Sequence, residues 1–318
     1  SPSISSITLS WGTVLNATED NNNGTVTVAT SGVEDGQTVT LGLNSRTYTG
    51  SVSSNSVSIT ISATRLQELV DGTTYTITAD VSDVAGNAAT QSSTTFTYDK
   101  SAPSISSITP SWGSYLNATE DNSSGTVTVV TSGVEDGQTL TITLNGTSYT
   151  GSISSNSVTI TISATDLQAL SEGTNTITAN VSDAAGNAAS QSSTTFTYDK
   201  TSPSITSITP SWGSHLNATE DNSSGTITVV TSGVEDGQTV TVGLNGTNYT
   251  GSVSSDSVTV TISATDLQAL SEGTNTITAD VSDIAGNAAS QSSTTFVYDK
   301  TSPSISSITL SWGTVLNA

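Results

Sequence analysis

Along most of the chain, apolar side chains recur at every second position, with threonine or serine between them. Leu140-Thr141-Ile142-Thr143-Leu144 and Val158-Thr159-Ile160-Thr161-Ile162 are two such runs. A period of two is the signature of a strand with one face buried and the other wet. In the middle third of the chain this pattern predicts strands at 104–109, 125–131, 139–144, 148–152, 157–163, 175–182 and 189–198. Leu144-Asn145-Gly146-Thr147 is the strongest hairpin signal, because Asn-Gly suits the two positive-φ positions of a type I′ turn. Helical character is confined to 164–170, enough for one or two turns. Short strands punctuated by turns every 8–12 residues predict an all-β fold, an immunoglobulin-like β-sandwich, with a small barrel as the alternative.

The same pattern occurs three times. SITPSWGS begins at Ser107 and Ser207, and SITLSWGT stands in its place at Ser6 and Ser307. VSDxAGNAA begins at Val81, Val181 and Val281, and FTYDK or FVYDK closes each copy at Phe96, Phe196 and Phe296. Residues 302–318 match 1–17 residue for residue. A period of about 100 residues exceeds that of a solenoid and equals one small domain able to bury its own core. The expected organisation is therefore tandem immunoglobulin-like domains at 1–100, 101–200 and 201–300, with the start of a fourth at 301–318, arranged end to end as a rod. Prolines at 103, 203 and 303 stiffen the short linkers. The chain reads as an interior piece of a longer protein.

Composition narrows the chemistry. There is no cysteine and one histidine, His215, so disulfides, thiolate metal sites and a repeated Ser-His-Asp set are all excluded. An enzyme is not expected. With 27 acidic against 5 basic residues and a net charge of −22, the chain lacks the basic footprint that nucleic acid needs. No apolar run reaches the length of a membrane span, so no membrane insertion by this segment is expected.

Most of the acids fall in loops and align across the copies, Asp80, Asp256 and Asp280 being among the exceptions. The aligned ones are Glu19/Glu120/Glu220, Asp20/Asp121/Asp221, Glu34/Glu135/Glu235, Asp35/Asp136/Asp236, Asp83/Asp183/Asp283 and Asp99/Asp199/Asp299. In a sandwich whose strands alternate in direction, the loops at 117–122 and the residue after the last strand lie at the exit pole. Those at 135–137 and 182–187 lie at the entry pole. The exit pole of one copy thus faces the entry pole of the next. Two carboxylates about 4 Å apart repel by roughly 4 kcal/mol at an effective dielectric near 20, which is large beside a domain stability of about 5–15 kcal/mol. A hard cation with oxygen ligands, Ca²⁺, would relieve this. The expected ligands are Asn16, Glu19, Asp20 and Asp99 against Glu135, Asp136 and Asp183, then Asn117, Glu120, Asp121 and Asp199 against Glu235, Asp236 and Asp283. No EF-hand or glycine-rich calcium nonapeptide is present. Acidic loops that merely keep a secreted protein soluble are the simpler alternative.

GVEDGQTVTV, LNGTxYTG, LNATED, VSDxAGN and YDKTSP together resemble the bacterial immunoglobulin-like repeats of giant biofilm-associated, repeats-in-toxin type adhesins exported by type I secretion. The resemblance implies an extracellular, cell-surface location. It also implies an extender that calcium stiffens, projecting terminal binding domains from the bacterium, with the neighbouring repeats as partners. It carries ligand roles to Glu19, Asp35, Asp83, Asp99 and their aligned residues, which adds Glu220 and Asp299 at the outer poles; Glu34 and Asp221, aligned with Glu135 and Asp121, are expected ligands as well. An Asp often found ahead of the Asn-Ala-x-x-Glu stretch is replaced here by Ser-Trp-Gly. The alternative function is a calcium-dependent carbohydrate or surface-binding module. It would need an aromatic platform, and the candidates, Trp11, Trp112, Trp212 and Trp312, read rather as core plugs. Ice binding through threonine strings is the weakest reading, because threonine already suits the wet face of a strand. Removing the cation is expected to turn a rod of roughly 100–130 Å, estimated from strand rise, into a flexible chain.

Overall fold

The structure, a computed structural model, describes residues 1–312. The chain divides into two compact units. One is formed by 1–113, 124–167 and 175–195, the other by 114–123, 168–174 and the stretch from 196 onward. The division runs through the second repeat, so contacts are described within each unit.

In the first repeat the strands are β1 (Ser3–Leu9), β2 (Val14–Leu15), β3 (Gly24–Ser31), β4 (Thr38–Leu43), β5 (Arg46–Ser51), β6 (Ser56–Ile61), β7 (Thr73–Asp80) and β8 (Ser92–Tyr98). They form a three-stranded sheet, β1-β3-β6, and a five-stranded sheet, β2-β8-β7-β4-β5. The third repeat has the same two sheets over 204–299. All pairings in the first repeat are antiparallel except β2 with β8, where Val14 and Leu15 run parallel to Thr97 and Tyr98. The entering strand therefore switches sheets between Leu9 and Val14, through the positive-φ Gly12. This switch and the 3-10 turn at Glu19–Asn21 were not expected from the sequence.

The alternating residues fill the space between the sheets. Val26 and Val28 of β3 face Val39 and Leu41 of β4, all fully buried. Trp11, 6 % exposed, plugs the end, with its ring edge-on to Phe96 at 5.3 Å between centroids. Gly24 makes room for it: a Cβ there would lie 2.2 Å from Trp11 Cζ3. Trp212 and Phe296 repeat the pair at 5.3 Å. Trp112 is buried likewise, and Trp312 is 57 % exposed. The hairpins have the expected geometry, with φ of +49° at Asn145 and +77° at Gly146. The short helices are Ala63–Leu66, Ala164–Gln168 and Ala264–Gln268. The expected start of a fourth copy at 301–318 lies partly outside the described residues, and its described part has no strand.

Candidate functional site

Each unit contains one place where consecutive repeats meet. In the first unit the loop after β2 turns tightly: the Asn16 carboxamide oxygen accepts from the Thr18 and Glu19 N–H groups, at 2.9 and 3.0 Å. Glu19 Oε2 accepts from the Asn16 N–H in return, at 3.1 Å. This reciprocal capping leaves Asn16 Nδ2 directed outward, where it donates to the carbonyl of Ala185 in the next repeat at 2.9 Å. The Ala17 N–H donates to Asn187 Oδ1 at 2.9 Å, and Asn187 Nδ2 donates to the Asp99 carbonyl at 2.9 Å. The second unit repeats all three contacts. Asn117 Nδ2 donates to Ala285 O, the Ala118 N–H to Asn287 Oδ1, and Asn287 Nδ2 to Asp199 O.

The carboxylates expected at these junctions have distinct roles. Asp183 Oδ1 accepts the Asn187 N–H and Oδ2 accepts Asn187 Nδ2, which closes the 183–187 turn. Asp283 and Asp83 do the same with Asn287 and Asn87. Glu135 Oε2 accepts the Ala184 N–H at 2.8 Å, tying the two entry loops together, as Glu34 does with Val84 and Glu235 with Ile284. Asp136 Oδ1 accepts the Ser155 N–H, and Asp35 and Asp236 cap the matching turns at Ser54 and Ser255. Asp99 Oδ1 accepts the Ser101 N–H and so bends the linker; Asp199 and Asp299 repeat this at Thr201 and Thr301. Glu120 and Glu220 cap Asn117 and Asn217 as Glu19 caps Asn16.

Asp20, Asp121 and Asp221 depart from the sequence expectation. They are buried inside their own repeats, 5–6 % exposed, and each accepts from a tyrosine hydroxyl, Tyr98, Tyr198 or Tyr298, at 2.6 Å. The tyrosine that follows the core phenylalanine by two residues anchors the exit loop. Burial and the neighbouring carboxylate push the Tyr98 and Tyr198 phenols far above their ordinary range; Tyr298, where the Asp221 bond acts first, is pushed up to about 12. The linker lysines are held away from the clefts, with each Nζ 5.7 Å from the centre of the preceding tyrosine ring.

At the first junction Asp99, Glu135 and Asp183 line one cleft of about 370 Å³ with Ser101, Ala102, Gly133 and Val134. The second unit has a matching cleft of about 330 Å³, where Asp199, Glu235 and Asp256 supply the acids. Burial holds the Asp99 carboxyl above the usual carboxylate range, and the negative charges of Asp183, Asp71 and Glu135 add to it against the Ser101 N–H. Among the described residues, no three or more acidic, histidine or cysteine side chains are grouped so as to hold a metal ion. The donors present are all hard oxygens, which suit Ca²⁺ in type.

The raised Asp99 value has a testable sign. The folded form favours the neutral carboxyl, so its contribution is full below the ordinary 3.8 and is lost as pH rises through the raised value. In chelator, Asp99→Asn is expected to raise the thermal midpoint at neutral pH and to flatten its rise on acidification. An unchanged midpoint across that range would remove the charge crowding.

Sequence reasoning missed Asn187, Ala185 and the linker clamp made by Asp71 and Glu172. Asp71 Oδ1 accepts the Lys100 N–H and Glu172 Oε1 the Lys200 N–H. The recurring AGN string was the available signal for the first two. The buried Trp11, Trp112 and Trp212 offer no aromatic platform for a sugar. No helix among the described residues is long and apolar enough to cross a membrane.

No protein-family model and no curated protein matches the chain. Among solved structures it is similar to a Ca²⁺-stabilized adhesin with which an Antarctic bacterium binds ice, at 25 % identity over 94 % of this chain and 74 % of that one, TM-score 0.48. It is similar to a 1.5-MDa bacterial ice-binding adhesin, at 24 % identity over 91 % and 95 % of the two chains, TM-score 0.47. A bacterial immunoglobulin-like domain from the M. primoryensis ice-binding adhesin matches at 30 % identity, over 31 % of this chain and 96 % of that one, TM-score 0.24. These three similar structures all come from bacterial adhesins.

Proposed function

We propose that this chain is a stalk segment of a bacterial surface adhesin, built of immunoglobulin-like domains at 1–100, 101–200 and 201–300. Calcium at the junction clefts stiffens it, so that binding domains elsewhere in the protein stand away from the cell. The reading rests on this chain's own features: near-identical copies, a buried and bonded contact between consecutive copies, and an acidic cleft beside each contact. The single observation that carries the cation is Asp99, whose carboxyl is crowded by Asp183 and Glu135 with no lysine or arginine lining the cleft.

Asp99, Glu135 and Asp183 would hold the ion at the first junction, and Asp199, Glu235 and Asp256 at the second. Glu19, Glu120, Asp136, Asp236 and Asp283 would stand around them. A divalent ion bound there would supply charge neutralisation between the two poles. The chain's own residues shape the cleft and orient the linker. Affinity is expected on the order of 10⁻⁴–10⁻³ M, as in extracellular modules.

Calorimetric titration with Ca²⁺ is expected to show binding at both junctions, and small-angle scattering a larger maximum dimension in calcium than in chelator. Equal dimensions in both, with no heat of binding, would sink the cation. The copy count and the stalk role would then need support from length alone.

A further inference from the structure

The loop at 182–187 takes part in every hydrogen bond described above between the first and second repeats. Its twin in the first repeat provides an internal control, because no repeat precedes that one in the described chain. Asn87 bonds only within its own turn, to Asp83, and is exposed. Asn187 and Asn287, in the same local sequence, are 5 % and 4 % exposed, and Asp183 and Asp283 beside them 4 % each. Burial of this loop therefore comes from the preceding repeat.

We propose that 182–187, and likewise 282–287, is a docking site for the Asn-Ala-Thr-Glu loop of the preceding repeat. An amide latch, not the cation, sets the junction angle. Asn187 is suited to this because one carboxamide both donates and accepts. Nδ2 spends one hydrogen on Asp183 and the other on the Asp99 carbonyl, while Oδ1 takes the Ala17 N–H. Asn16 adds the fourth group by donating to Ala185 O. Three such inter-repeat bonds shift the docked-to-undocked ratio by on the order of a hundredfold. That is too little to join separate molecules against the cost of association. It suffices across a four-residue linker, which holds the local concentration in the millimolar range or above. The occupant is therefore the preceding repeat of the same chain.

Gly186 marks how close the approach is. A Cβ there would meet Asn16 Nδ2 at 3.3 Å and one at Gly286 would meet Asn117 Nδ2 at 3.2 Å, while one at Gly86 would meet nothing within 4 Å. Their φ values are similar, +90°, +92° and +83°, so alanine strains each backbone alike. Only in the second and third repeats does it also press on a partner.

The absence of cysteine allows clean labelling. Spin labels at Thr47→Cys and Ser148→Cys, both exposed, report the first junction in the full chain by electron–electron double resonance. In saturating calcium a single narrow distance is expected, and the same peak at reduced amplitude in chelator. Asn187→Ala and Gly186→Ala are expected to broaden it in calcium, and the matched Asn87→Ala and Gly86→Ala to leave it unchanged. A narrow, unshifted peak in both junction variants would overturn the latch, as would equal broadening by the matched controls. A wild-type peak that is the same in calcium and chelator would count against the cation alone.

Discussion

Replacement of Trp212 by alanine is expected to lower the stability of the third repeat by about 3–5 kcal/mol, the range for truncating a large core aromatic. The ring is 9 % exposed, packs edge-on against Phe296 and lies directly over Gly225, where a Cβ would come within 2.5 Å of Trp212 Cζ3. Gly225 itself has no side chain to extend into the space. Trp212→Phe is expected to lose less, about 1–2 kcal/mol, because the indole N–H has no hydrogen-bond partner among the described residues and its removal relieves an unmet donor. Gly225→Val attacks the same contact from the other side and should cost about 3 kcal/mol through overpacking. Chemical denaturation followed by circular dichroism would check all three, with the unaltered repeats as internal reference. A Trp212→Ala loss below 1 kcal/mol would mean that the ring does not close the core.

Tyr98→Phe is expected to cost about 2–3 kcal/mol, more than an ordinary hydroxyl deletion, because the bond it breaks ends on a carboxylate. Asp20 is 5 % exposed, and its Oδ2 accepts the Tyr98 hydroxyl at 2.6 Å. The loss should extend beyond stability. The 3-10 turn at Glu19–Asn21 carries Asp20, and the Asp20 N–H bonds back to the Asn16 carbonyl, so freeing the carboxylate loosens the loop that presents Asn16 and Ala17. Removing both partners, Tyr98→Phe with Asp20→Leu, should cost less than the sum of the single changes, since no buried polar group is then left unmet. Denaturation midpoints of the three variants would decide it, and strict additivity would show that the two groups do not interact.

The strands were legible because each repeat alternates cleanly and the three repeats agree. The expected strand at 139–144 is the observed Thr139–Leu144, and most others end within two or three residues of their expected limits. The parallel segment at Tyr115–Asn117 was invisible, since three residues are too few to show a period. In the candidate site, the sequence placed the acids in the correct loops but could not separate their roles. Asp20 reads like any loop acid until Tyr98, 78 residues later, is seen to face it. Asn187 reads as a turn former, and its second role depends on a carbonyl 88 residues earlier. Such functions belong to pairs of distant positions, and a single sequence carries no mark of the pairing.

The side-by-side, same-direction alignment of β2 with β8 has a mechanical consequence. After its switch between the sheets, the entering segment runs beside the strand through which the chain leaves, and the Thr97 and Asp99 N–H groups reach across to the carbonyls of Thr13 and Leu15. A pull on the two ends in opposite directions slides these strands along one another, so the bonds between them bear the load together instead of opening one after another. Resistance to such a pull is thus built into the path of the backbone, where the second strand meets the last.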